Sequence, residues 1–64
     1  MIKIVYVVTF RKDSGFPEIE LEESRGKNLG EKWQVDKTGI FDIDGNFYEG
    51  SQIIGITKRK DNML

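Results

Sequence analysis

Apolar and polar side chains alternate along much of this chain, in short runs separated by turn residues. A period of two marks strands with one buried face. The longest run is residues 2–11, rich in β-branched and aromatic side chains. Ile2, Ile4, Tyr6, Val8 and Phe10 face one way; Lys3, Val5, Val7, Thr9 and Arg11 face the other. The second face is polar at its ends and apolar in its middle. That predicts a central strand, covered on both faces at its middle.

Asp13-Ser14-Gly15 reads as a turn in which Gly15 supplies a positive φ. Pro17 has no N–H to give to a ladder and suits the first residue of an edge strand. Across 18–23, Ile19 and Leu21 point inward while Glu18, Glu20 and Glu22 point outward. A short helix over 18–25 is the rival, with Pro17 at its first position, glutamates in its first turn and Gly26 beyond its end. Ile19 and Leu21 are two apart and fall on different sides of a helix, which favours the strand.

Residues 24–31 have no period and carry Gly26 and Gly30, so they read as the longest and most mobile loop. Trp33 and Val35 alternate with Lys32, Gln34 and Asp36 in a third strand. Thr38-Gly39 leads into Ile40-Phe41-Asp42-Ile43. Asp44-Gly45 then predicts a two-residue type I′ turn returning through Asn46-Phe47-Tyr48-Glu49, which pairs Phe41 with Tyr48. Gly50-Ser51 breaks the chain again. A last strand runs from Gln52 to about Arg59, with Ile54 and Ile56 on one face and a bulge or close approach at Gly55. Residues 61–64 are expected to fray. The predicted class is all-β: a small twisted antiparallel sheet of five or six short strands. It would be either an SH3-like or OB-like small barrel or a meander that dimerises along an edge.

The chain has 64 residues, which is room for one domain, 1–64, near the lower limit for independent stability. With no Cys and no His, disulfides and the commonest zinc ligands are excluded, and association is the remaining staple. A homodimer or a tight hetero-complex is therefore expected. The absence of Cys fits a reducing compartment. The first apolar run is interrupted by Lys3 and Arg11, is followed by no small-residue cleavage site, and is too short for a membrane helix. These points predict a cytoplasmic protein with no membrane partner.

Without His or Cys, acid–base work near pH 7 falls to Asp, Glu, Lys or Tyr with a strongly shifted pKa, which needs burial that a small domain lacks. No nucleophile elbow, phosphate-loop lysine or zinc spacing occurs. The expectation is no enzyme, no cofactor and no metal. Asp42, Asp44, Asn46 and Glu49 invite a calcium reading. Counted from Asp42, however, the glycine comes at the fourth position and Ile53 holds the twelfth, where an EF-hand needs glutamate.

Three binding surfaces remain. Glu18, Glu20, Glu22 and Glu23, with Arg25 and Lys27 beyond them, form a candidate protein-binding surface. The plainer reading of the glutamates is an edge strand whose charge discourages further pairing. Arg11, Lys12, Lys58, Arg59 and Lys60 would form a nucleic-acid-binding stripe if the first and last strands adjoin, with Trp33, Phe47 and Tyr48 for stacking. A net charge of −1 does not favour that class. Third, an oligomer could sequester a small anionic ligand such as a nucleotide near Arg25 and Lys27, where the 25–30 loop would present backbone N–H groups.

Thr38-Gly39-Ile40-Phe41-Asp42-Ile43-Asp44-Gly45-Asn46-Phe47-Tyr48-Glu49-Gly50 resembles the T-G-[LI]-x-D-x-[ND]-G…Y-E-G-D segment of YopX-type phage and prophage proteins. Thr38, Gly39, Asp42, Gly45, Tyr48, Glu49 and Gly50 match. The chain is one residue shorter between Gly45 and Tyr48 and has Ser51 where that family has Asp. The resemblance covers about a fifth of the chain and implies a phage-related origin, a small β domain and no catalytic residue. The leading expectation is thus a small intracellular, phage- or prophage-encoded protein that docks on a host protein and inhibits it.

Overall fold

The computed structural model describes residues 2–62. In chain order they form β1 (Ile2–Phe10), β2 (Ile19–Glu22), α1 (Glu23–Asp36), β3 (Ile40–Phe41), β4 (Phe47–Tyr48) and β5 (Ile53–Asn62). β1 is the centre of a three-stranded antiparallel sheet of order β2-β1-β5, and β3 pairs with β4 in a separate two-stranded ribbon. The described residues are mostly strand with one helix. They do not close into a barrel, because three strands leave β2 and β5 as free edges and α1 supplies the second layer. The small-barrel expectation is corrected accordingly.

β1 behaves as its alternation predicts. Val8 and Phe10 join Leu21, Ile40 and Ile53 in the buried core, with Tyr6, Ile19, Leu29, Trp33, Tyr48 and Ile56 packed around them. On the opposite face Val5 and Val7 are buried as well. Val7 lies between Glu20 and Thr57 and Val5 between Glu22 and Arg59. Arg59 reaches Glu20 at 2.7 Å, so this ion pair has to cross β1 over those two valines. Long charged side chains here cover apolar surface with their stems.

The predicted loop at 24–31 and the predicted third strand at Trp33 and Val35 are both overturned. They are one helix, which begins directly after β2. Gly26, Leu29, Gly30 and Trp33 recur at three- and four-residue spacing, the signature of one helical face. The glycines permit close approach. A Cβ at Gly26 would sit 2.6 Å from the Tyr6 ring carbon Cγ, and one at Gly30 would meet Ile56. Neither end carries an ordinary signal: Glu22 makes no side-chain cap, and the closing left-handed residue is Lys37, φ 56°, whose N–H donates to Trp33 O at 2.8 Å. The favoured strand holds over 19–22, whereas the rival helix over 18–25 fails at both its markers: α1 starts only at Glu23, well after Pro17, and Gly26 lies inside it.

The hairpin register also differs. Ile40 pairs with Tyr48 and Phe41 with Phe47, so five residues rather than two form the connection. Gly45 alone of the turn has positive φ, whereas a type I′ turn needs two such residues. Phe41 therefore packs at a tilt on Phe47, with ring centroids 4.9 Å apart, instead of pairing with Tyr48. At the last strand the ladder shifts between Gly55 opposite Thr9 and Ile53 opposite Phe10. Ile54 is the extra residue: Ile53 and Ile56 face the core and Ile54 turns outward. This is the bulge expected near Gly55, but a Cβ on Gly55 would meet nothing, so no close approach occurs. Asp61 and Asn62 do not fray; they pair with Lys3 and Ile2. The expectation for 63–64 lies outside the described residues. Gly15 takes φ 77° as its turn requires.

Candidate functional site

The hairpin projects from the core on one side chain's chemistry. The Asp42 carboxylate accepts hydrogen bonds from the Asp44 and Asn46 backbone N–H groups, both at 2.9 Å, from Asn46 Nδ2 at 3.1 Å and from the Tyr48 hydroxyl at 2.9 Å. Main-chain bonds close the same turn, Asp42 N–H to Asn46 O at 3.0 Å and Gly45 N–H to Asp42 O at 3.1 Å. These donors, the Asn46 side chain first, hold Asp42 below the usual carboxylate value. The same Asp42 bond pushes the Tyr48 phenol above its ordinary value. A short acidic side chain that satisfies its neighbours' N–H groups is an efficient turn former.

Two contacts then tie the hairpin to the body. The Arg25 guanidinium on α1 donates to the Phe41 and Asp42 carbonyls, the latter at 3.2 Å. Tyr48 packs on Phe10 and Phe16, with centroids 4.9 and 5.1 Å apart. Ile40 is fully buried. Because side chains alternate, fixing Ile40 and Tyr48 inward forces Phe41 and Phe47 outward. Both remain about half exposed, and Ile43 at the tip is 88% exposed. The result is an arm that presents two phenylalanines packed at a tilt and, at its tip, Ile43 to solvent.

The residues singled out from the sequence fall elsewhere. Glu18, Glu20 and Glu22 share the face of the sheet away from α1, where Glu18 accepts a hydrogen bond from Thr9 and Glu20 is engaged by Arg59. Glu23 opens α1. Arg25 is turned to the hairpin carbonyls. Lys27 lines a hollow with Tyr6, Gly30, Glu31, Gln34 and Ile56. The helix therefore separates Arg25 from Lys27, and the loop thought to cradle an anion is its first turns. β1 and β5 do adjoin, but antiparallel pairing sets Arg11 beside Gln52 and Lys58 beside Tyr6. Arg11 and Lys12 thus stand roughly 20 Å along the strands from Lys58–Lys60, and no continuous basic stripe forms. Arg59 is spent on Glu20 and Asp61. Trp33 donates its indole N–H to Gly50 O at 2.9 Å and lies under the Lys37 ammonium, so it offers no stacking platform.

No protein-family model, curated protein or solved structure matches the chain. Among the described residues no cluster of three or more metal-ligating side chains occurs, and no helix is long and apolar enough to cross a membrane. Sequence reasoning missed Phe41, Ile43 and Phe47. The signal was present in Asp42: an Asp four residues before an Asn, with Gly between, can cap a longer turn and so shift which aromatics face out.

Proposed function

We propose that the protein is a binding module that docks on a partner protein through the hairpin arm and modulates it. The solvent-facing pair of Phe41 and Phe47, ring centroids 4.9 Å apart and each about half exposed, carries this reading. Aromatic anchors on a rigid support contribute most at interfaces, because little entropy is lost on binding. Single exposed apolar residues are ordinary, but two aromatic rings packed on each other and left half exposed form an anchor. In this reading the partner is a host protein and the effect is inhibition. The resemblance of residues 38–50 to YopX-type proteins supports a phage or prophage origin, and the absence of His and Cys supports action by association.

The test compares the wild type with Phe41→Ala/Phe47→Ala as bait in bacterial lysate, with and without nuclease. A partner held by the wild type after nuclease and bound at least thirtyfold more weakly by the variant, once purified, supports the arm. Equal binding by both moves the interface off the arm. Capture that disappears with nuclease returns the question to nucleic acid.

A further inference from the structure

β5 is an edge strand of ten residues, Ile53–Asn62, whose outer ladder groups pair with no other strand among the described residues. Its side chains toward α1 are Ile56, Lys58 and Lys60, set opposite Val8, Tyr6 and Ile4 of β1. Both lysines are exposed, and neither makes an ion pair among the described residues, whereas Arg59 on the other face is engaged twice. Ile56 opens onto the hollow that Tyr6, Lys27, Gly30, Glu31 and Gln34 complete. The edge thus offers a row of main-chain donors and acceptors, two unneutralised cations two residues apart, and a partly apolar hollow next to them.

We propose that this edge receives an extended acidic segment of a partner protein as a fourth strand, with carboxylates opposite Lys58 and Lys60 and an apolar side chain over the Ile56 hollow. Strand addition draws affinity from main-chain hydrogen bonds and selectivity from alternate side chains. An antiparallel segment therefore needs two acidic residues two apart, followed two residues later by an apolar one. A second copy of this chain fits poorly. Two-fold pairing of β5 with itself centred on Lys58, Arg59 or Lys60 sets like cations face to face, and centring on Thr57 gathers both lysines of each copy on one face. The proposal rests on the reading that the protein works by binding, and it names the partner's chemistry at a second surface.

The probe is a fluorescein-labelled peptide, Thr-Glu-Thr-Glu-Thr-Val-Thr-Val, and its control has the same composition with the two glutamates adjacent. The alternating peptide is expected to bind, to weaken with salt, to slow amide exchange along residues 54–62, and to lose at least tenfold in affinity against Lys58→Glu/Lys60→Glu. Lys58→Gln/Lys60→Gln checks that the loss follows charge, and both variants must melt like the wild type. Equal binding of the two peptides, an unchanged affinity in the lysine variants, or no binding overturns the proposal. Concentration-dependent dimerisation that protects β5 without peptide also overturns it and gives the edge to a second copy. Phe41→Ala/Phe47→Ala should bind the peptide normally, so failure of the arm and failure of the edge read out separately.

Discussion

The two edges of the main sheet end in opposite ways. β2 has four residues, turns directly into α1, and carries glutamates on its outer face. Arg25 and the hairpin tip residue Ile43 line a hollow beside its Glu20, Leu21 and Glu22. β5 has ten residues, a bulge near one end and lysines along its exposed half, and among the described residues no element lies beyond it. Short length, charge and a neighbouring element retire an edge from further pairing, while a long uncovered one remains a template. The same strand pair β1–β5 thus builds the core with one side and, among the described residues, leaves an unpaired rim on the other.

The largest expected effect comes from loosening the helix that closes the β2 side. In Gly26→Ala the added methyl overlaps the Tyr6 ring, and overpacking outweighs the gain in helix propensity of about 1 kcal/mol. A net loss of about 2 kcal/mol in a urea titration is predicted. Protection from exchange should fall first in α1 and β2 and last along β1–β5. Uniform loss along all three strands would show that the edges do not differ in local stability.

That substitution also shows what the sequence concealed. β1 and β2 were legible because their apolar positions alternate and Pro17 and Gly15 punctuate them. α1 was not, because the residues nearest the sheet are Gly26 and Gly30, which read as breakers when they are in fact the contact surface. Glu22 and Lys37 give neither a capping side chain nor a terminal glycine, so start and stop signals were missing too. The hairpin was legible in position but not in register. Asp42 captures Asn46 and lengthens the turn, and this one change moves Phe41 and Phe47 into solvent. The candidate site was hidden by that shift alone.

Arg25→Ala should rank second. It removes two bonds from a half-buried guanidinium to the hairpin carbonyls, a loss of about 1 kcal/mol. Exchange of the 40–48 amides should quicken while β5 is unaffected; quickening along β5 instead would couple the two edges. Acid probes both sides together. Asp42 in the hairpin and Asp61 on β5 sit below the unfolded value of 3.8, Asp42 through its Asn46 bond and Asp61 through Arg59. A depressed carboxylate contributes stability above its unfolded pKa and loses it as pH falls through the folded one. Stability should therefore be flat down to about pH 4 and decline below. Carboxyl NMR shifts of Asp42 and Asp61 should both move below the midpoint of a free Asp, and a normal midpoint for either would remove its side from the account. The smallest effect belongs to Glu20→Gln, which breaks the exposed ion pair to Arg59. A change within about 0.5 kcal/mol in thermal unfolding is expected; a larger one would show that the pair shields Val5 and Val7 substantially.

The antiparallel register that sets Ile2 opposite Asn62 also governs the order in which the molecule can assemble. β1 meets β2 across a short connection, but it meets β5 only across β2, the helix and the hairpin, a connection roughly five times longer. Closing it from an unstructured chain costs about 1.4 kcal/mol more in chain entropy. The β1–β2 hairpin therefore belongs to the early events and β5 to the late ones. Substitutions that weaken β5 should accelerate unfolding and leave the folding rate nearly untouched, while those in the Asp13–Gly15 turn should slow folding. The strand that ends as the long open edge is also the last to arrive.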